Sequence, residues 1–190
     1  MKKRFLTSLQ ILICLLCALP CHTVYGSQAQ PLLAGSQLPQ FTLPALDSQQ
    51  TSSYLGLRTM DPCTISQVGA KLVLIEFLNA FCPHCHANAP ILNRLYNVVQ
   101  KDAALAKDVK IIGIAIGNSK TETDAYRKSF KVPFPIFPDE ESDIGNAVQV
   151  SETPTVVLVS NSGKVLTSHS GVIQDFDGVL KDLRENHKKQ

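Results

Sequence analysis

An α/β domain built on a central mixed β-sheet with helices on both faces follows from three observations. Residues 71–79 and 109–116 are continuous apolar runs of strand length, the pattern of strands buried on both sides. A helical apolar periodicity fills the chain between them. Near the C-terminus, two short apolar runs flank Asn161-Ser162-Gly163 as an antiparallel hairpin, and an amphipathic helix closes the chain. Strand, helix, strand, helix, hairpin, helix is the element order of a mixed sheet covered by helices.

The elements follow in order. Lys2, Lys3 and Arg4 precede an apolar stretch from Ile11 to Leu19, with Val24 and Gly26 where a signal peptidase reads small or medium residues. The stretch is short of the ~20 apolar residues of a membrane span, so residues 1–26 are expected to be an export signal. An uncleaved signal would anchor the body in the same compartment, the periplasm. Residues 27–38 are expected to be a linker and residues 39–190 the folded domain, with a short strand at Phe41 and Leu43. Turns and loops are expected from 47 to 69. Lys71 to Asn79 is the first buried strand. A helix from Pro83 to about Gln100 carries Ile91, Leu92, Leu95, Val98 and Val99 on one face. Val109 to Ile116 is the second strand, and Thr121 to Lys131 a polar helix capped at Ser119 or Thr121. Phe134 to Pro138 is an extended, proline-bounded segment, Asp143 to Val148 a short helix, Thr155–Val159 and Lys164–Ser168 the hairpin, and Gln174 to His187 the last helix.

Composition narrows the function. Loss of residues 1–26 leaves 15 basic against 16 acidic residues, a formal charge of −1, with no basic stripe to bind nucleic acid or a membrane surface. It also removes Cys14, Cys17 and Cys21. Cys63, Cys82 and Cys85 remain, an odd number in an oxidising compartment, so at least one thiol is unpaired or pairs between molecules. Cys63 is expected as a small buried core residue.

Cys82-Pro83-His84-Cys85-His86 follows directly on the first buried strand. Two thiols spaced this way at a helix start close a small disulfide and reopen it, carrying two electrons. The same string, Cys-x-x-Cys-His, also spells a c-type haem attachment site with His86 as axial ligand. Against haem stand the α/β context and the lack of a downstream methionine.

The motif, with the residues around it, resembles the thioredoxin superfamily, in particular its exported TlpA-like and ResA-like thiol-disulfide oxidoreductases. The resemblance spans Pro39 to the C-terminus. Glu76, six residues before Cys82, matches a buried carboxylate; Pro90 matches a kink proline in the active-site helix; Thr153-Pro154-Thr155 matches a cis-proline loop. The chain departs from that pattern in having no tryptophan, Phe81 standing before Cys82. Its Pro83-His84 dipeptide resembles that of oxidising DsbA-type proteins. The resemblance implies a thioredoxin fold with an N-terminal extension, cysteine-containing protein substrates and a membrane redox partner, with no cofactor and no metal.

In that frame Cys82, at a helix N-terminus, is the attacking thiolate, and Cys85 is the resolving thiol, the two forming a redox-active Cys82–Cys85 disulfide. Glu76 accepts the Cys85 proton, its pKa raised by burial; at a strand edge it would instead face solvent. Thr153 and a cis Pro154 present backbone to a substrate peptide, a trans proline starting an edge strand being the plainer alternative. Pro83 and His84 tune the potential, unless His84 is a solvated bystander; His86 is expected at the surface. A DsbA-like disulfide donor is the nearest other reading, and copper held by Cys82, Cys85 and His169 a more distant one. A peroxidase is disfavoured because the Pro-x-x-x-Thr/Ser-x-x-Cys signature is absent, with Ile75 and Asn79 at the corresponding places.

Overall fold

The computed structural model describes residues 32–190; the expected signal at 1–26 and the start of the expected linker lie outside the described residues. Strands β1 (Leu72–Leu78), β2 (Val109–Ile116), β3 (Ile136–Asp139), β4 (Thr155–Ser160) and β5 (Val165–Ser170) form one sheet in the order β3-β2-β1-β4-β5. β2 lies parallel to β1 and β3, whereas β4 runs antiparallel to β1 and β5, so the sheet is mixed. Every residue of the central β1 is buried, as its unbroken apolar sequence requires.

Side chains alternate across a strand. Leu72, Leu74 and Leu78 therefore pack on one face beneath α2 (Pro83–Lys101) and α6 (Phe176–Lys188), while Val73, Ile75 and Phe77 pack on the other with α1 (Gln49–Leu55) and α5 (Asp143–Val148). Glu76 falls on the α2 face. α2 buries Cys85, Asn88, Ala89, Leu92, Leu95 and Val99, a stripe with i, i+3/i+4 spacing, and Pro90 sits inside it. Each of its large apolar side chains contributes ~1.5–3 kcal/mol by leaving water. α4 (Lys120–Ser129) is capped by Ser119, whose hydroxyl receives the Glu122 N–H while the Glu122 carboxylate accepts from Ser119 N.

Several expectations are corrected. The segment 47–69 is not only turns and loops: it holds α1, capped by Ser48 and closed by Gly56 at φ 69°, and a 3₁₀ turn at Ile65–Gln67. Gly56 also lets the backbone of Gly69 approach, since a Cβ there would lie 3.1 Å from Gly69 Cα. Phe41 and Leu43 form no strand; only Leu43 pairs, in a single bridge to Cys63. A short helix α3 (Ala103–Asp108) that no periodicity announced starts where the Asp102 carboxylate accepts from Ala104 and Leu105 N–H. β5 runs two residues beyond the expected hairpin, with a register shift at Leu158/Val159. Residues 32–38, the described part of the expected linker, pack on this hairpin: Gly35 N donates to Val165 O and Leu38 N to Gly163 O, while Ser36 O accepts from Val165 N. Leu32 and Leu38 are buried there.

Candidate active site

The end of β1 delivers the chain to α2 through Asn79-Ala80-Phe81, and side chains fasten this junction. Asn79 Nδ2 donates to Ile116 O at 2.9 Å and Asn79 Oδ1 accepts from Phe81 N at 2.9 Å. The buried Asn118 accepts from Ala80 N at 2.7 Å. Cys82 then serves as the N-cap residue of α2, with Pro83 in the first turn where no N–H is missed.

The two thiols sit in unlike surroundings. Cys82 is half-buried and 3.3 Å from Thr153 O, whereas Cys85 has no exposed surface. Both, with Cys63, are free thiols. Partial burial opposes ionisation of Cys82, but donors from the Thr153 side chain, Cys85 and the His84 backbone outweigh it, holding that thiol below its ordinary value. Burial pushes Cys85 up to about 12, and its hydrogen bond with the Cys82 sulfur and the negative charge of Glu76 push the same way. At neutral pH the accessible sulfur is the better nucleophile and the buried one holds its proton.

Glu76 is 1% exposed, flanked across the sheet by Gly113 and Val156, so the strand-edge alternative does not describe it. Its carboxyl is pushed up to about 7, first by burial and also by charge at Cys82, while a 2.8 Å hydrogen bond from Asn88 Nδ2 pulls it down. Asn88 escaped the sequence reading, although a polar residue within the apolar stripe of α2, between Cys85 and Leu92, was the available signal. Tyr126 was also missed; its hydroxyl donates to Cys85 O at 3.0 Å, bringing α4 against the active-site helix.

The remaining residues fall as follows. The Thr153–Pro154 peptide is cis. Pro154 O accepts from Gly171 N at 2.8 Å, which ties this loop to the turn after β5. Pro83 and His84 are exposed at the mouth of α2, next to Phe81, which is 66% exposed. Cys63 is buried in the core of the opposite sheet face, and burial raises its thiol. His86 is corrected: it is not a surface residue but half-buried, its Nε2 2.8 Å from Ala80 O and its ring stacked on Phe130 at 4.7 Å. His169 is exposed, and among the described residues no three potential ligands gather, so the structure does not bring His169 to Cys82 and Cys85 as a copper site requires.

A pair of free thiols at the start of a helix, over a buried carboxylate and against a cis-proline loop, is the arrangement of a thiol-disulfide oxidoreductase of thioredoxin fold. A model of the family described as Thioredoxin-like matches residues 69–165, just over half of the chain, and the chain belongs to this family. Similar proteins include the thiol-disulfide oxidoreductase ResA of Geobacillus thermodenitrificans, 27% identical over 93% of this chain and 92% of that one. ResA of Bacillus subtilis is 25% identical over 95% of each, so the likeness extends beyond the matched core to nearly the whole length. A putative thiol:disulfide interchange protein DsbE from Chlorobium tepidum superposes with a TM-score of 0.64 at 18% identity, covering 81% of this chain and 97% of that one, which supports the fold. The chain is an oxidoreductase of the TlpA/ResA-like kind. Among the described residues no helix is long and apolar enough to cross a membrane.

Proposed function

We propose that this chain is exported to the periplasm and there reduces disulfides of other proteins, in the manner of TlpA- and ResA-type enzymes, including those of cytochrome c maturation, and is itself re-reduced by a membrane partner. The asymmetry of the two thiols carries this reading. The Cys82 thiolate attacks a substrate disulfide, forming a mixed disulfide and releasing one substrate thiolate. Cys85 then loses its proton to Glu76 and attacks Cys82 Sγ, which closes the Cys82–Cys85 disulfide and releases the second substrate thiolate. The substrate gains two electrons and the chain loses two. Docking of the substrate backbone on Thr153 and cis Pro154 places its sulfur beside Cys82.

Cys82→Ser should abolish reduction of insulin disulfides, and Cys85→Ser should accumulate mixed disulfides, with the purified protein colourless. A Soret band from covalent haem, or full activity in Cys82→Ser, would overturn the exchange reading. The exposed Pro83-His84 dipeptide favours a disulfide donor as the second reading. A measured potential decides: about −270 mV, as in thioredoxin, marks a reductase, and about −120 mV, as in DsbA, a donor.

A further inference from the structure

Asn88 interrupts the buried stripe of α2 with an amide that has no exposed surface. Its Nδ2 donates to Glu76 Oε1 at 2.8 Å and its Oδ1 accepts from Ile173 N at 3.1 Å. A backbone N–H can only donate, so the amide oxygen must face Ile173 and the NH2 must face the carboxylate. Rotating the amide would set donor against donor at one end and oxygen against oxygen at the other. The turn that imposes this orientation is itself held, because Gly171 N donates to Pro154 O at 2.8 Å.

We propose that Asn88 is a positioning residue for the reaction: its amide, locked in one orientation by the turn after β5, keeps a hydrogen-bond donor on Glu76 and so matches that carboxylate to its work as the proton acceptor for Cys85. The inference rests on the proton-accepting role of Glu76 proposed above. Burial alone would hold the carboxyl higher still and keep its proton on, where it can take no other; a donor favours the ionised form and brings it back toward the range in which a base is effective. The groups facing Glu76 are Cys82 and Cys85 from the start of α2 and Tyr126 from α4, all of which disfavour negative charge beside one another. β2 and β4 contribute only Gly113 and Val156. Asn88 is thus the neutral donor that offsets burial and these neighbours.

Asn88→Leu removes the donor at similar volume, and Asn88→Asp keeps an acceptor for Ile173 N while replacing the donor by a second carboxyl. Two readouts apply to the full chain, the first in its reduced state. Carbon-13 NMR of the side-chain carboxyls, with the Glu76 signal identified by its loss in Glu76→Gln, should show the midpoint of Glu76 rising by about one to two pH units in both variants. Loading Cys82 with 2-nitro-5-thiobenzoate and following its release by Cys85 should show the acid limb of the rate moving up by the same interval, with the rate recovering on the alkaline side. An unmoved midpoint in a folded variant, or a rate lowered equally at every pH, would overturn the proposal. If Asn88→Leu does not fold, Asn88→Asp decides. Should Glu76→Gln release the probe as fast as the parent, the proton-acceptor reading fails, while the NMR midpoint still judges the hold of Asn88 on Glu76.

Discussion

Replacing Glu76 by Gln should change the sign of its effect on stability as pH is raised. The folded chain holds this carboxyl at about 7, against an ordinary value of 4.5, chiefly through burial. Between those values the native state binds more protons than the unfolded chain, so this group makes stability fall as pH rises, opposite to an ion-paired carboxylate. Its penalty is absent below about 4.5 and complete above 7, where the difference amounts to roughly 3 kcal/mol. Gln carries no such penalty. It keeps an oxygen for Asn88 but buries an amide NH2 in place of the second carboxylate oxygen, at a pH-independent cost of about 1–2 kcal/mol. Glu76→Gln should therefore be less stable than the parent near pH 5 and more stable by about 1–2 kcal/mol near pH 9. Urea unfolding of both reduced proteins across that range measures the difference. A gap that stays constant from pH 5 to 9 would show that the carboxyl ionises as readily in the fold as in the unfolded chain, and the burial argument would fail.

Three further outcomes are expected. Glu76→Gln should slow closure of the Cys82–Cys85 disulfide at neutral pH while leaving the first attack by Cys82 nearly intact, as stopped-flow of the two phases would show; equal rates across the pH range would remove the carboxylate from the chemistry. His84→Ala should raise the Cys82 pKa and lower the reduction potential together if the imidazole carries a proton at the mouth of α2, since that charge would favour the thiolate found only in the reduced form, each ~30 mV corresponding to about 1.4 kcal/mol; if alkylation rates and redox equilibration both stay put, the histidine is a bystander. Leu95→Ala, which empties a site with 1% exposure in the α2 stripe, should destabilise the fold by about 2–5 kcal/mol in chemical denaturation, and a loss below 1 kcal/mol would mean that α2 is not packed as described.

The sheet was legible because burial on both faces writes an unbroken apolar run: β1 and β2 fall within a residue or two of their expected spans. The α2 stripe was legible for the same reason in helical period. What escaped was set by polar contacts, local caps for α1 and α3 and bonds between distant segments at the active site. α3 buries only Leu105, so no apolar rhythm marks it, and the seven residues of α1 bury only Thr51, Ser52 and Leu55 between the caps at Ser48 and Gly56. At the active site the spacing marked Cys82 and Cys85, and the resemblance to the thioredoxin superfamily pointed to Glu76 and the Thr153-Pro154 loop. Asn88 showed only as a polar residue in an apolar stripe; what it does there stayed hidden, because its two partners lie 12 residues before it and 85 residues after it. His86 was misplaced because its neighbours, Ala80 O and the Phe130 ring, come together only when α4 folds against α2.

The packing of residues 35–38 on the hairpin bears on where the protein can be cut. The outer rim of β5 would otherwise present unpaired backbone groups at Val165, and Gly163 O would lie open beside them; the strap fills these positions with four hydrogen bonds once Gln37 Nε2 to Ser162 O is included. At the far rim β3 is only four residues long, contains Pro138 and follows Pro135, so it offers little to a second chain. A version beginning at residue 39 would keep all the redox chemistry but lose the guard on one rim, leaving a strand edge able to recruit its own copies. The N-terminal strap therefore covers the start of the β5 rim, and an expression boundary drawn from the dithiol region alone falls on the wrong side of it.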